Sequence, residues 1–396
     1  MSAAATTVWG RAEQQDFRSR VRGTLLGLAV GDALGAPVAA LDRDGIRDAY
    51  GDPGLTDLAP AHGRRGAVTA ATQLALFTVD GLIRAQVRRD TGAWHPPTDL
   101  HRAYRRWAAT QWDWGPDERR ADDGWLAREE WLYTRRDPAR SLLVGFGDAS
   151  MGTLDAPKNP QERGCEAAVR SAPFGLLVGW EPDLVAQLAV ECGAQTHGHP
   201  EGYLAAGAYA VIVHGLARGG SPDGAVREAL SLIGAREGHQ GVSEGLERAL
   251  DAVRQGPPSA DRVEDLLHGD ADGGDEGEGG DAGDGWGGAD RKGGGEAAGA
   301  LAVAVYCALV GQDVRHGLTL AVNHGGDSAG TGALTGALLG ALHGETALPP
   351  AWIAELEGRP TVLALADDFA MEMTQGPALH GPSTGSPAWL ARYPRG

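Results

Sequence analysis

Three groups of residues in this chain have types and spacing suited to chemistry. The first is acidic. Asp32 sits in GLAVGDALGAPVAA (27–40) and Asp327 in VNHGGDSAGTGALTGALLGALHG (322–344). A carboxylate in such a turn can act as a general base, ligate a hard cation, or bond the amides of its own loop. The second group is His197 and His199 in QTHGHPEGYLAAGAYA (195–210). They suit acid–base work or ligand contact, or else structural bonding at a helix start. The third is the Gly-led stretch RGCEAAVRSAPFGLL (163–177), where backbone N–H groups at a helix start would be open to an anion. A further Gly-rich stretch, GRRGAVTAATQLALFTVDGLIRA (63–85), puts Thr69 just ahead of an apolar run. Asn323, Gly325 and Gly326 shape the loop that presents Asp327, with Ser328 beside it. Glycines at these helix starts either expose N–H groups to phosphate or let two helices come close, and the sequence leaves both open.

The elements that must hold these residues are helical. Leu76, Val79, Ile83 and Val87 recur at helical spacing, as do Leu184, Leu188 and Cys192. The triplets Leu301, Val305, Leu309 and Leu334, Leu338, Leu342 each draw another stripe. Alternating β-branched runs are scarce, so the fold class is all-α, with Gly/Pro/Asp loops. The six Trp residues between 94 and 131 are expected to pack as core between helices rather than to stack nucleic-acid bases.

Composition narrows the function. A net charge of −18 argues against nonspecific nucleic-acid binding, which needs basic surface to displace counterions. The three cysteines, Cys165, Cys192 and Cys307, have neither disulfide nor zinc spacing. No signal peptide and no membrane span are visible, which makes a cytoplasmic protein the expectation. His268 to Gly295 holds 13 of the 61 glycines and eight acids, and is expected to be a flexible acidic insertion. Its DADGG start resembles a calcium loop, but Asp275 and Asp281 stand where that loop needs Gly and Glu.

Taken in order and spacing, these stretches resemble the ADP-ribosylglycohydrolase family, from about Arg20 to Phe369. The resemblance implies one compact all-α domain over 20–370, with the insertion at 268–295 and a C-terminal extension at 371–396. It also implies a pair of Mg²⁺ or Mn²⁺ ions and hydrolysis of a glycosidic bond at the anomeric carbon of ADP-ribose. The family draws its ligands from a Glu after GDALGAPV, a Thr-Asp-Asp triplet, and Asp-x-Asp followed by Ser or Thr. Here those positions read Ala39, then Thr69-Ala70-Ala71, then Asp327-Ser328-Ala329-Gly330. Thr69 and Asp327 are the vestige, and Asp327 is the catalytic candidate.

The resemblance also places Asp32, Gly164, Cys165, Arg170, His197, His199, Asn323, Gly325, Gly326 and Ser328 around the nucleotide. Glu166 adds negative charge where the diphosphate would lie. The expected protein has therefore lost the dinuclear centre and its hydrolysis, and holds no cofactor unless Mg²⁺ or Mn²⁺ survives. It binds ADP-ribose, an NAD-like molecule or an ADP-ribosylated protein, with neither nucleic acid nor membrane as partner. The alternatives are a metal-independent enzyme acting on another substrate, and a retained hydrolase with replacement ligands. Natural divergence accounts for Ala39 and Gly330 better than deliberate Asp→Ala inactivation does.

Overall fold

Apolar stripes at helical spacing, punctuated by Gly, Pro and Asp, fold here as helix after helix. The computed structural model describes residues 10–89, 92, 94–117, 119, 124–268, 296–375 and 386–395. The acidic segment 269–295 lies outside the described residues. The helices are α1 (Arg11–Gly35), α2 (Arg43–Tyr50), α3 (Ala70–Arg88), α4 (Pro96–Thr110) and α5 (Arg140–Gly147), followed by the single turns α6 (Glu166–Val169) and α7 (Ala172–Gly175). Next come α8 (Pro182–Gly193), α9 (Pro200–Ala217), α10 (Pro222–Ile233), α11 (Gln240–Arg254), α12 (Ala260–His268), α13 (Ala297–Val310) and α14 (Val314–Val322). The chain closes with α15 (Ser328–His343), α16 (Pro350–Glu355), α17 (Arg359–Gln375) and α18 (Pro387–Arg392). Among the described residues the β-structure is a hairpin pairing Pro60–Ala61 with Arg64–Arg65, plus a bridge between Gly164 and Glu296. No single helix among the described residues is long and apolar enough to cross a membrane.

The centre of the fold is the antiparallel pair α1 and α15. Gly23, Gly27, Gly31 and Gly35 repeat every fourth residue and so share one face of α1. They meet Gly340, Gly336, Gly332 and Ser328 of α15 in that order. A Cβ on any of these α1 glycines would collide with the facing carbonyl. Each glycine costs about 1 kcal/mol against alanine within a helix. Direct backbone contact offsets that cost, and weak Cα–H···O bonds recur at such interfaces. The glycines of α1 and their partners on α15 therefore serve close packing. Around this pair, α9 and α13 are apolar on nearly every side, and α13 packs against both α15 and α9.

Two packing expectations need correction. Of the Trp residues, Trp107 is fully buried, but Trp112 and Trp114 stand in the turn after α4, and Trp114 is fully exposed. Having left the helix, they have no core face to join. Leu184 is likewise exposed, because its first-turn position on α8 points outward while Leu188 and Cys192 are buried. Near the C-terminus, the Arg392 guanidinium lies 3.7 Å from the Trp125 ring centroid, and Tyr393 donates to Asp368 at 2.6 Å.

Candidate functional site

The site forms where α15 packs against α1, α3 and α6. Asp32, near the end of α1, is fully buried. It accepts from Thr69 N at 2.8 Å, Thr69 Oγ1 at 2.7 Å, Thr72 N at 3.2 Å and Thr72 Oγ1 at 2.5 Å. Thr69 is the N-cap of α3, and its hydroxyl also accepts from Ala71 N at 3.1 Å. One carboxylate thus ties the positive end of α3 to α1. Burial pushes the Asp32 carboxyl up to about 6, although all four bonds favour its charged form.

Asp327 caps α15. Its Oδ1 accepts from Gly330 N at 3.1 Å, and the Cys165 thiol donates to Oδ2 at 3.6 Å. A Cβ at Gly330 would come within 2.7 Å of both the Asp327 carboxylate and the Cys165 sulfur. Gly330 and Cys165 therefore fit each other, since the sulfur fills the space a larger residue would need.

The loop before Asp327 is built by residues the sequence reading passed over. His324 is fully buried, and its Nδ1 accepts from Gly326 N at 2.9 Å. Its Nε2–H therefore donates to Thr331 Oγ1 at 2.7 Å. Burial holds the His324 imidazole down to about 4. Glu264 of α12 accepts from Gly325 N at 3.3 Å. Asn323 accepts from Leu55 N at 2.7 Å and donates to Leu55 O at 3.0 Å, stitching on the 54–55 turn. Ser328 is fully buried, and its hydroxyl donates to His324 O at 3.4 Å.

A third cluster surrounds α6. His197 Nε2 lies 3.2 Å from Glu166 Oε2, and its Nδ1 lies 2.8 Å from Thr196 Oγ1. That hydroxyl also accepts from Arg170 Nη2 at 2.7 Å. Arg170 is fully buried behind the cluster, with its guanidinium 5.4 Å from Tyr104 and 5.2 Å from Phe146. Glu162 Oε1 accepts from Gly164 N at 3.0 Å. His199 caps α9 instead, accepting from Glu201 N at 3.2 Å. Cys165, Cys192 and Cys307 are all buried, and none forms a disulfide among the described residues.

The structure thus brings Asp32 together with Thr69, Asp327 with Cys165, and His197 with Glu166. His324, Glu264 and Glu162 are the contributors that sequence reading missed. NHGGDS did contain His324, but nothing in its neighbours marked it as the loop's support.

This architecture is an all-α bundle in which Asp32 of α1 ties down the start of α3 and Asp327 caps α15. The chain belongs to the ADP-ribosylglycohydrolase family, whose model matches residues 13–378. Among solved structures, one titled "ADP-ribosylglycohydrolase-related protein complex" shares the fold at a TM-score of 0.59 with 24% identity, covering 91% of this chain and 100% of that one. No curated protein matches.

Proposed function

We propose that this chain keeps the family's cleft as a binding site for ADP-ribose or a related nucleotide, free or attached to protein, without metal-dependent hydrolysis. The donor set carries this reading. Two adjacent divalent cations need several carboxylates to neutralise them and to orient water. Ala39, Ala70, Ala71, Ala329 and Gly330 offer no side-chain oxygen. The two vestigial ligands are already engaged, Thr69 with Asp32 and Ala71 N, and Asp327 with Gly330 N and Cys165. These residues do not fit a pair of Mg²⁺ or Mn²⁺ ions. Gly164 and His199, both part-exposed, are the residues we assign to hold a nucleotide. The cytoplasm is the compartment we assign to it.

Calorimetry of the full chain with ADP-ribose, in Mg²⁺ and again in EDTA, tests the binding half. Saturable heat that EDTA leaves unchanged is expected, and no heat at millimolar ligand overturns it. An ADP-ribosylated arginine substrate tests the catalytic half. No release of ADP-ribose is expected, and EDTA-sensitive release would restore the hydrolase.

A further inference from the structure

We infer that Glu162, Glu166 and His197 form a mononuclear site for a transition-metal dication, with Zn²⁺ the ion of choice. The site takes neither Thr69 nor Asp327 as a ligand, although Cys165 beside it bonds Asp327, and its inference does not depend on the nucleotide reading.

Geometry comes first. The ligating atoms of the three residues all lie within 4.8 Å of one another. His197 Nε2 and Glu166 Oε2 are 3.2 Å apart. Two ligands at roughly 2.0–2.1 Å from a tetrahedral zinc stand about 3.3 Å from each other, so this pair already spans one edge of such a polyhedron.

The histidine is oriented from behind. His197 is fully buried, and its second ring nitrogen meets Thr196 Oγ1, itself fixed by the buried Arg170. Ligating histidines are usually held this way, with the remote nitrogen on a fixed partner and the near one aimed at the ion.

The backbone is shaped for convergence. A Cβ at Gly164 would collide with Glu166 Oε2 and stand 3.0 Å from Glu162 Oε1. Only glycine lets both carboxylates lean over that position. The strand of chain is pinned on both sides, by Ala297 N to Arg163 O at 2.9 Å and by His199 N to Glu162 O at 3.2 Å. Two carboxylates drawn together repel, and a dication between them reverses the sign of that interaction.

The donor set selects the ion. One imidazole with two carboxylates suits Zn²⁺, Mn²⁺ or Fe²⁺ better than Mg²⁺ or Ca²⁺, which prefer oxygen alone. Three protein ligands leave a fourth position for water, and the partial exposure of Glu162 and Glu166 gives that water a path in.

The test strips the full chain with chelator, titrates it with Zn²⁺ and with Co²⁺, and reads bound metal after dialysis and the visible cobalt band. One equivalent is expected per chain. Glu162→Gln and Glu166→Gln should each weaken binding by at least about tenfold, while Asp52→Asn, in an exposed ion pair with Arg47, leaves it unchanged. Melting curves in EDTA establish that the variants fold; Glu162→Gln, at a part-exposed position, keeps the test alive if Glu166→Gln does not. Less than one equivalent in the native chain, or equal affinity in the glutamine variants, overturns the site. Loss of ADP-ribose binding would leave this result standing, and loss of zinc binding would leave the nucleotide reading standing.

Discussion

Replacing Asp32 by Asn gives a pH signature that the structure fixes in both sign and size. The Asp32 carboxyl titrates near 6 in the fold against 3.8 unperturbed, because burial outweighs its four hydrogen bonds. A raised folded pKa means the native state binds the proton more tightly. Its stabilising contribution is therefore full below 3.8 and is lost as pH rises through about 6. Between pH 4 and pH 7 this amounts to about 2 kcal/mol, at about 1.4 kcal/mol per unit. Asn does not titrate, so the variant lacks this term whatever its fixed cost in lost bonds. Urea unfolding of native and Asp32→Asn protein at pH 4 and pH 7 isolates it, because every other titrating group cancels in the difference. The stability advantage of the native chain should be larger at pH 4 by about 2 kcal/mol. A gap that stays constant, or one that grows toward pH 7, would refute the assignment of a buried, protonatable Asp32.

Other perturbations follow from the packing. Gly31→Ala drives a methyl into the Gly332 carbonyl and should cost about 3 kcal/mol or more, read as a lower melting temperature. Gly330→Thr meets both the Asp327 carboxylate and the Cys165 sulfur and should cost about 1–3 kcal/mol, with the sulfur's share recovered in Gly330→Thr/Cys165→Gly. A thermal-melt cycle on those variants shows the recovery or denies it. Glu357→Ala strips partners from Val68 N and the buried Arg136 and should destabilise the chain by about 3–5 kcal/mol in urea.

Much of the helical architecture was legible because α3, α13 and α15 carry apolar residues at helical spacing, and that period survives folding unchanged. The glycine stretches were legible as motifs but ambiguous in purpose. A four-residue repeat says which face is bare, and only the partner helix says that a carbonyl fills it. The Trp cluster misled because burial depends on where α4 ends: Trp107 is inside the helix, and Trp112 and Trp114 come after it. Around the site, Asp32 and Asp327 stood out by their turns. His324, Glu264 and Glu162 did not: Glu264 reaches Gly325 from a distant helix, while His324 and Glu162 bond amides two residues on, in turns that carry no motif of their own.

The α1–α15 pair also constrains the order in which the molecule can be made. Gly23 faces Gly340, so the two halves of the interface are 317 residues apart along the chain (340 − 23). During vectorial synthesis the bare face of α1 leaves the ribosome long before its complement exists. It must stay unpaired, or be shielded by a chaperone, until residues 328–343 have emerged. Asp32 can bind the start of α3 early, whereas its spacing to Asp327 is set only when that late helix docks. Assembly of the site is thus a terminal event in the biogenesis of this chain.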